Sequence, residues 1–223
     1  MTPVSASSAS WAGTTGSAED FVPPKPTLAK LRAASKTCKG CDLYKVGTQT
    51  DFGEGPATAR VVIVGEQPGD QEDRAGHPFV GPSGKLLDAA LEEAGIDRGD
   101  AYVTNAVKHF KWDAQAGTKR RIHKKPNARE VKACHPWLEA ELDVLKPDVI
   151  VCLGATAAQS LLGKDFRVST QRGKLLRPFG AKPLVIATVH PSSVLRAPSD
   201  QRAAAEKEFM RDVKKIGKLL KRA

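Results

Sequence analysis

Aromatic residues are scarce in this chain, at 5% of 223 residues, which argues against a broad base-stacking platform and leaves room only for a pocket with one or two rings. Long apolar runs are also missing, so no segment reads as a membrane span. The start, MTPVSASSASWAGTTGSAED, lacks a basic region followed by an apolar core, so it does not read as a secretory signal. A cytoplasmic protein with reduced thiols is expected, and its four cysteines suggest metal binding or packing before disulfides. Acidic residues are too few to balance the basic ones: the net charge is +10, which favours a polyanionic partner.

The length fits one large domain. Residues 1–24 read as a disordered tail rich in Ser, Ala, Thr and Gly, closed by Pro23-Pro24-Lys25-Pro26, and 25–223 as a single domain. Thr27 is placed to cap a short helix carrying Leu28 and Leu31. Beyond it, short apolar strands (Val61–Val64, Ala101–Val107, Asp148–Leu153, Leu184–Val189) alternate with helices at Ser83–Ala94, Asn127–Leu145, Ala155–Leu162 and about Asp200–Lys221. The pair Asn127/Glu130 has the spacing of a capping box. This alternation predicts an α/β sandwich around a mostly parallel sheet. In such sheets ligands lie beyond the carboxyl ends of the strands, where Glu66, Gln67, Asn105 and His190 fall.

Cys38 and Cys41 form a C-x-x-C after the first helix. A redox pair would normally follow a strand, which is absent here. Zinc and an iron–sulfur cluster both remain open, with Cys134, His109 and His135 as further ligand candidates. Cys152 lies inside an apolar strand and reads as a packing residue.

One more stretch stands out. Lys119-Arg120-Arg121-Ile122-His123, followed by Lys124 and Lys125, puts one histidine at the end of a cationic run. Alone it would read as a solvated basic loop.

The ordered motifs GEQPGDQEDRAGHPFVGPSGKLLD, VTNAVKH and HPSSVLR resemble those of the uracil-DNA glycosylase superfamily, and most closely its iron–sulfur-containing branch. The KRRIH insert, Gln67 after Glu66, and KHF resemble the family X members. The resemblance runs from about Cys38 to the last helix. It implies a three-layer α/β/α sandwich with a central four-stranded parallel sheet. It also implies a 4Fe–4S cluster, with Cys38, Cys41 and Cys134 matching the family's thiolates and His109 falling where a further cysteine would stand.

A glycosylase must take its base out of the stack, or work on single strands. Within the resemblance, Phe79 supplies a stacking ring and Asn105 a carboxamide matched to the uracil imide edge; cytosine would leave those groups unpaired. His190 is placed to hydrogen-bond the uracil oxygen as negative charge grows there. Glu66 can carry negative charge beside the sugar cation, Gln67 can only orient, and Asp70 does local work in the same turn. Ser192, Ser193 and Arg196 suit phosphate contacts, as do Lys119, Arg120 and Arg121. His123 is implied beside the sugar, where a neutral imidazole could attack the anomeric carbon. The product would be a stable N-glycosidic bond. The expected activity is therefore uracil excision from DNA, with single strands preferred, by a monomer that traps itself on the abasic site. The alternatives are an ordinary multiple-turnover glycosylase and a non-catalytic cluster-bearing DNA-binding module.

Overall fold

The computed structural model describes residues 16–115 and 117–221. Four parallel strands form the centre: β1 (Val61–Gly65), β2 (Ala101–Asn105), β5 (Val149–Leu153) and β7 (Leu184–Thr188). Their spatial order is β2-β1-β5-β7. The expected parallel sheet is thus present, with one addition. A two-residue strand, β6 (Leu175–Leu176), pairs antiparallel with β7 and closes that edge. It is too short for a periodic pattern to betray it. A separate antiparallel hairpin joins β3 (Trp112–Ala114) to β4 (Arg121–His123).

Strand residues alternate between two cores, as the pleat requires. Val61, Ile63, Val103, Val151 and Ile186 face α3 (Pro82–Glu93) and α8 (Ser199–Leu220), meeting Leu87, Leu91, Phe209 and Val213. Val62, Val64, Ile150, Cys152 and Val185 face α4 (Ala128–Leu145) and α5 (Ala155–Leu162), meeting Leu138, Leu145, Ala157 and Ala158. Cys152 is therefore a packing residue, fully buried. The capping box at Asn127 and Glu130 forms as read, with bonds of 2.9 and 2.7 Å. Thr27 Oγ1 accepts from Lys30 N to cap α1 (Leu28–Ser35).

Two boundaries move. The turn after β1 contains a helix, α2 (Asp70–Ala75), and a further short helix, α7 (Pro191–Leu195), starts at His190. Of the expected disordered tail, residues 1–15 lie outside the described residues. The segment Ala18–Phe21 is instead a 3-10 turn capped by Ser17, and Ala18 is 1% exposed in a cluster with Leu31 and Trp137. One small alanine fills that site, so no apolar run marks it in the sequence. Among the described residues no helix is long and apolar enough to cross a membrane.

Candidate active site

β1 and β5 lie side by side, yet their chain connections run to opposite sides. Such a switch opens a crevice at the carboxyl ends of the strands. Here it is a cleft of about 590 Å³, lined among others by Glu66, Gln67, Phe79, Asn105, His123 and His190. Ser192, Ser193 and Arg196 stand along the same cleft. Most of the residues that the sequence singled out thus converge.

Asn105 ends β2 and is 1% exposed, yet neither its Oδ1 nor its Nδ2 has a partner in the protein. Leaving both groups of a buried carboxamide unpaired costs on the order of 1–3 kcal/mol each, a cost that a ligand with matching donor and acceptor would offset. Phe79 lines the same cleft at 8% exposure, its ring roughly parallel to the His190 ring at 5.9 Å. Phe79 holds a positive φ of 59°, an uncommon conformation for a bulky residue and one that accompanies function often enough to be informative. The site also depends on Gly65. A Cβ there would lie 2.2 Å from Asn105 Oδ1 and 2.7 Å from the Phe79 ring.

His190 caps α7. Its Nδ1 accepts from Ser192 N–H at 3.2 Å, which leaves Nε2 to carry the ring proton and donate. Burial lowers its pKa to about 4, and the charge of Arg196 and the proximity of His123 act in the same direction. The ring is therefore a neutral Nε2–H donor near neutral pH.

His123 ends β4 and is half-exposed at the cleft rim, with Nε2 3.6 Å from Glu66 Oε1. Burial lowers its pKa below the ordinary value, Glu66 opposes that shift, and Arg196 reinforces it. The Glu66 carboxylate is itself fixed by a hydrogen bond from Thr156 Oγ1 at the start of α5.

The hairpin carrying His123 is attached by side chains. The buried Gln67 amide donates to Lys111 O at 3.2 Å and Lys124 O at 3.1 Å, and accepts from Lys111 N at 3.2 Å. Gln67 is therefore engaged with backbone on both hairpin strands. Arg121 lies two residues before His123 on β4, so the two side chains leave the strand on the same side. It pairs with Asp70 and with Asp73, the latter at 2.5 Å, and lies over the rings of Phe110 and Trp112 at 5.3 and 5.5 Å.

These contacts correct two expectations. Arg121 is not a phosphate-facing cation: its side chain is 9% exposed and its guanidinium is already paired. Asp70, expected from the resemblance among the substrate-binding residues, has its carboxylate paired with Arg121 and Arg74 and is not among the residues that line the cleft. The partners that bury Arg121 lie about fifty residues earlier in the chain, so a run of cations gives no local sign of them. Lys119 and Arg120 are exposed as expected. Thr156, Glu72 and Val168 join the site without having been singled out by sequence.

The thiols gather elsewhere. Cys38 and Cys134 are buried and Cys41 half-buried in one cluster with Leu31, Leu43 and Trp137. Trp137 Nε1 donates to Cys38 Sγ at 3.3 Å, and Lys108 N–H donates to Cys134 Sγ at 3.2 Å. Burial pushes the Cys134 thiol up to about 12; Lys108 opposes this, and Cys41 and Cys38 add to the rise, so the three sulfurs feel one another. Soft thiols with N–H groups aimed at sulfur suit an iron–sulfur cluster. Among the described residues, however, no group of three or more His, Cys, Asp or Glu side chains stands in metal-binding geometry. His109 packs against the segment at Gly47, and the charge that acts on it is that of Asp73.

The fold and cleft together define an α/β protein with a cleft at the carboxyl ends of its parallel strands. A family model described as the uracil DNA glycosylase superfamily matches residues 52–214, and the chain belongs to that superfamily. The Type-4 uracil-DNA glycosylase of Archaeoglobus fulgidus is 38% identical over 82% of this chain and 88% of its own length. That of Thermotoga maritima is 37% identical over 84% and 91%. A Type-5 uracil-DNA glycosylase of Pyrobaculum aerophilum is 30% identical over 75% and 76%.

Proposed function

We propose that this chain excises uracil from DNA, single strands above all, and that His123 then captures the sugar. The observation that carries the reading is the buried, unpartnered Asn105 carboxamide in the cleft that Phe79 also lines. A uracil imide edge offers an N–H to Asn105 Oδ1 and a carbonyl to Nδ2; cytosine presents the opposite polarity.

In the reaction, the C1′–N1 bond breaks and its electron pair leaves with uracil. The charge delocalises onto a uracil oxygen, where His190 Nε2–H donates, and the uracil anion takes its proton from water. Glu66 lies where positive charge develops on the sugar. The neutral His123 ring donates its Nε2 lone pair to C1′, forming an N–C1′ bond, and the alkylated ring loses its Nδ1 proton to solvent. Glu66 Oε2 is engaged by Thr156 while Oε1 stands 3.6 Å from His123 Nε2; the imidazole–C1′ bond is a stable N-glycosidic bond, so the adduct is expected to persist. Lys119, Arg120 and Arg196 would neutralise flanking phosphates.

Cys38, Cys41 and Cys134 would hold an iron–sulfur cluster, with His109 or an outside group completing the set. Such a cluster would tie the N-terminal segment to α4. Iron and sulfide analysis, with visible absorbance before and after Cys134→Ser, tests this: equal absorbance in both forms would remove Cys134 from the ligand set.

The test of the activity is a boiled denaturing gel with a fluorescent single-stranded oligonucleotide bearing one uracil, beside a thymine control. A heat-stable shifted band only with uracil is expected. Alkali-labile abasic sites without a shifted band would support the second reading, a multiple-turnover glycosylase in which the half-exposed His123 only contacts DNA.

A further inference from the structure

Below Asn105 lies a charge with no part in the reaction just described. Lys108 is fully buried, and its ammonium has three N–H donors with three partners: Thr104 Oγ1 at 2.5 Å, Glu141 Oε2 at 2.6 Å and Asn105 O at 2.9 Å. The Phe52 ring lies 5.2 Å from the ammonium. Glu141 is buried too, and it accepts in addition from Tyr102 Oη at 2.8 Å and Thr104 Oγ1 at 3.0 Å. The Lys108 backbone is tied on both sides: its N–H donates to Cys134 Sγ and its carbonyl accepts from Asp51 N at 2.8 Å.

Stability does not account for this arrangement. Replacing a buried ion pair by apolar side chains of similar volume is often neutral or stabilising. The position does suggest a reason. The segment from Asn105 to Lys108 leaves β2 and crosses the end of β1, where Ala106 N and Val107 N donate to Gly65 O and Glu66 O. At its start, Asn105 must present an unpartnered carboxamide in one orientation, and no bond to that carboxamide within the protein provides it. The Lys108 ammonium provides a bond to the residue's carbonyl instead, three residues back along the chain.

We infer that Lys108, held by Glu141, is the positioning residue for base reading: through the Asn105 carbonyl it fixes the direction in which the Asn105 carboxamide meets the base. The inference rests on the proposed uracil excision for its substrate. The anchored carbonyl itself is a property of the fold.

The test compares wild type with Lys108→Met, the paired Lys108→Met/Glu141→Leu, and each change combined with Asn105→Ala. The single variant leaves Glu141 buried and unpaired and is expected to unfold readily. The paired variant removes both charges and is expected to fold with a melting temperature near that of wild type. Its uracil excision rate at saturating protein is expected to fall about tenfold or more, an effect in the range seen when a preorganised donor loses its aim. In the Asn105→Ala background the paired change is expected to have no further effect, because its route is gone. A paired variant that folds and excises as wild type overturns the inference, and so does an equal loss in both backgrounds. An activity-independent readout separates this from failure of the glycosylase reading. In 15N-labelled protein, the Asn105 side-chain amide pair, assigned by its absence in Asn105→Ala, is expected to give one sharp set in wild type and a broadened or split set in the paired variant. Unchanged amide resonances in a folded paired variant overturn the inference even if wild type proves inactive on uracil.

Discussion

Protonation decides what His123 and His190 can do. Burial lowers the pKa of both, to about 4 for His190, which favours the neutral ring in each. A nucleophile must be unprotonated, and His190 must keep Nδ1 free to accept from Ser192 N–H. The decline of covalent trapping at low pH should therefore be centred below the ordinary histidine value of about 6.5. The rate of gel-shifted adduct across a pH series checks this; a decline centred at about 6.5 or above would mean that the His123 environment does not favour the neutral ring. His123→Ala is expected to abolish the adduct, and an undiminished band would assign the bond to another residue. At Gly65 one methyl is decisive. Gly65→Ala is expected to fold but to lose uracil excision by about a hundredfold or more, since the added carbon would occupy space held by Asn105 Oδ1. Excision within a few-fold of wild type would mean that the slot adapts.

Strand and helix identities were legible because their signals are repetitive. α5 begins and ends where its apolar run does, and the Asn127/Glu130 pair announced the start of α4. The ends of β1 and β7 fall within one residue of the expected ones, whereas β2 stops at Asn105, two residues before the expected Val107. What stayed hidden depends on partners distant in sequence. Gln67 meets Lys111 and Lys124, and Arg121 meets Asp70 and Asp73, across separations that no local pattern records. The β3–β4 hairpin is short and polar, with a stretch of Gly, Thr, Lys and Arg at its turn, so a solvated loop was the natural local reading. Its attachment makes a prediction. Gln67→Ala should leave the sheet intact, with little change in melting temperature, while adduct formation slows more than uracil release, because the amide holds the hairpin and not the base. Equal slowing of both steps, measured side by side in single-turnover assays, would place Gln67 in base handling as well.

Over the whole molecule, buried charge shapes the pH dependence of folding. Asp51 is 1% exposed and both carboxyl oxygens lack partners; burial raises its pKa to about 8, against a partial opposing effect of Lys108. The folded state thus holds a proton that the unfolded chain releases near 3.8. The stability this proton brings is full below that value and is lost as pH rises through about 8, at a limiting rate of about 1.4 kcal/mol per pH unit. Asp51→Asn should flatten the fall in urea-denaturation stability between the unfolded value of 3.8 and about 8; a parallel profile for the two proteins would show that another group governs it.

The position of His123 at the cleft rim, 3.6 Å from Glu66, has a consequence for supply and demand. A catalyst is needed in trace amounts, but a protein whose nucleophile keeps its product is a stoichiometric reagent. On the proposed reading each molecule answers one uracil and is then withdrawn, so protection would saturate at the number of molecules present. The dose of protein, and not the time allowed, would set how many lesions are marked, and a titration would end in a sharp equivalence point.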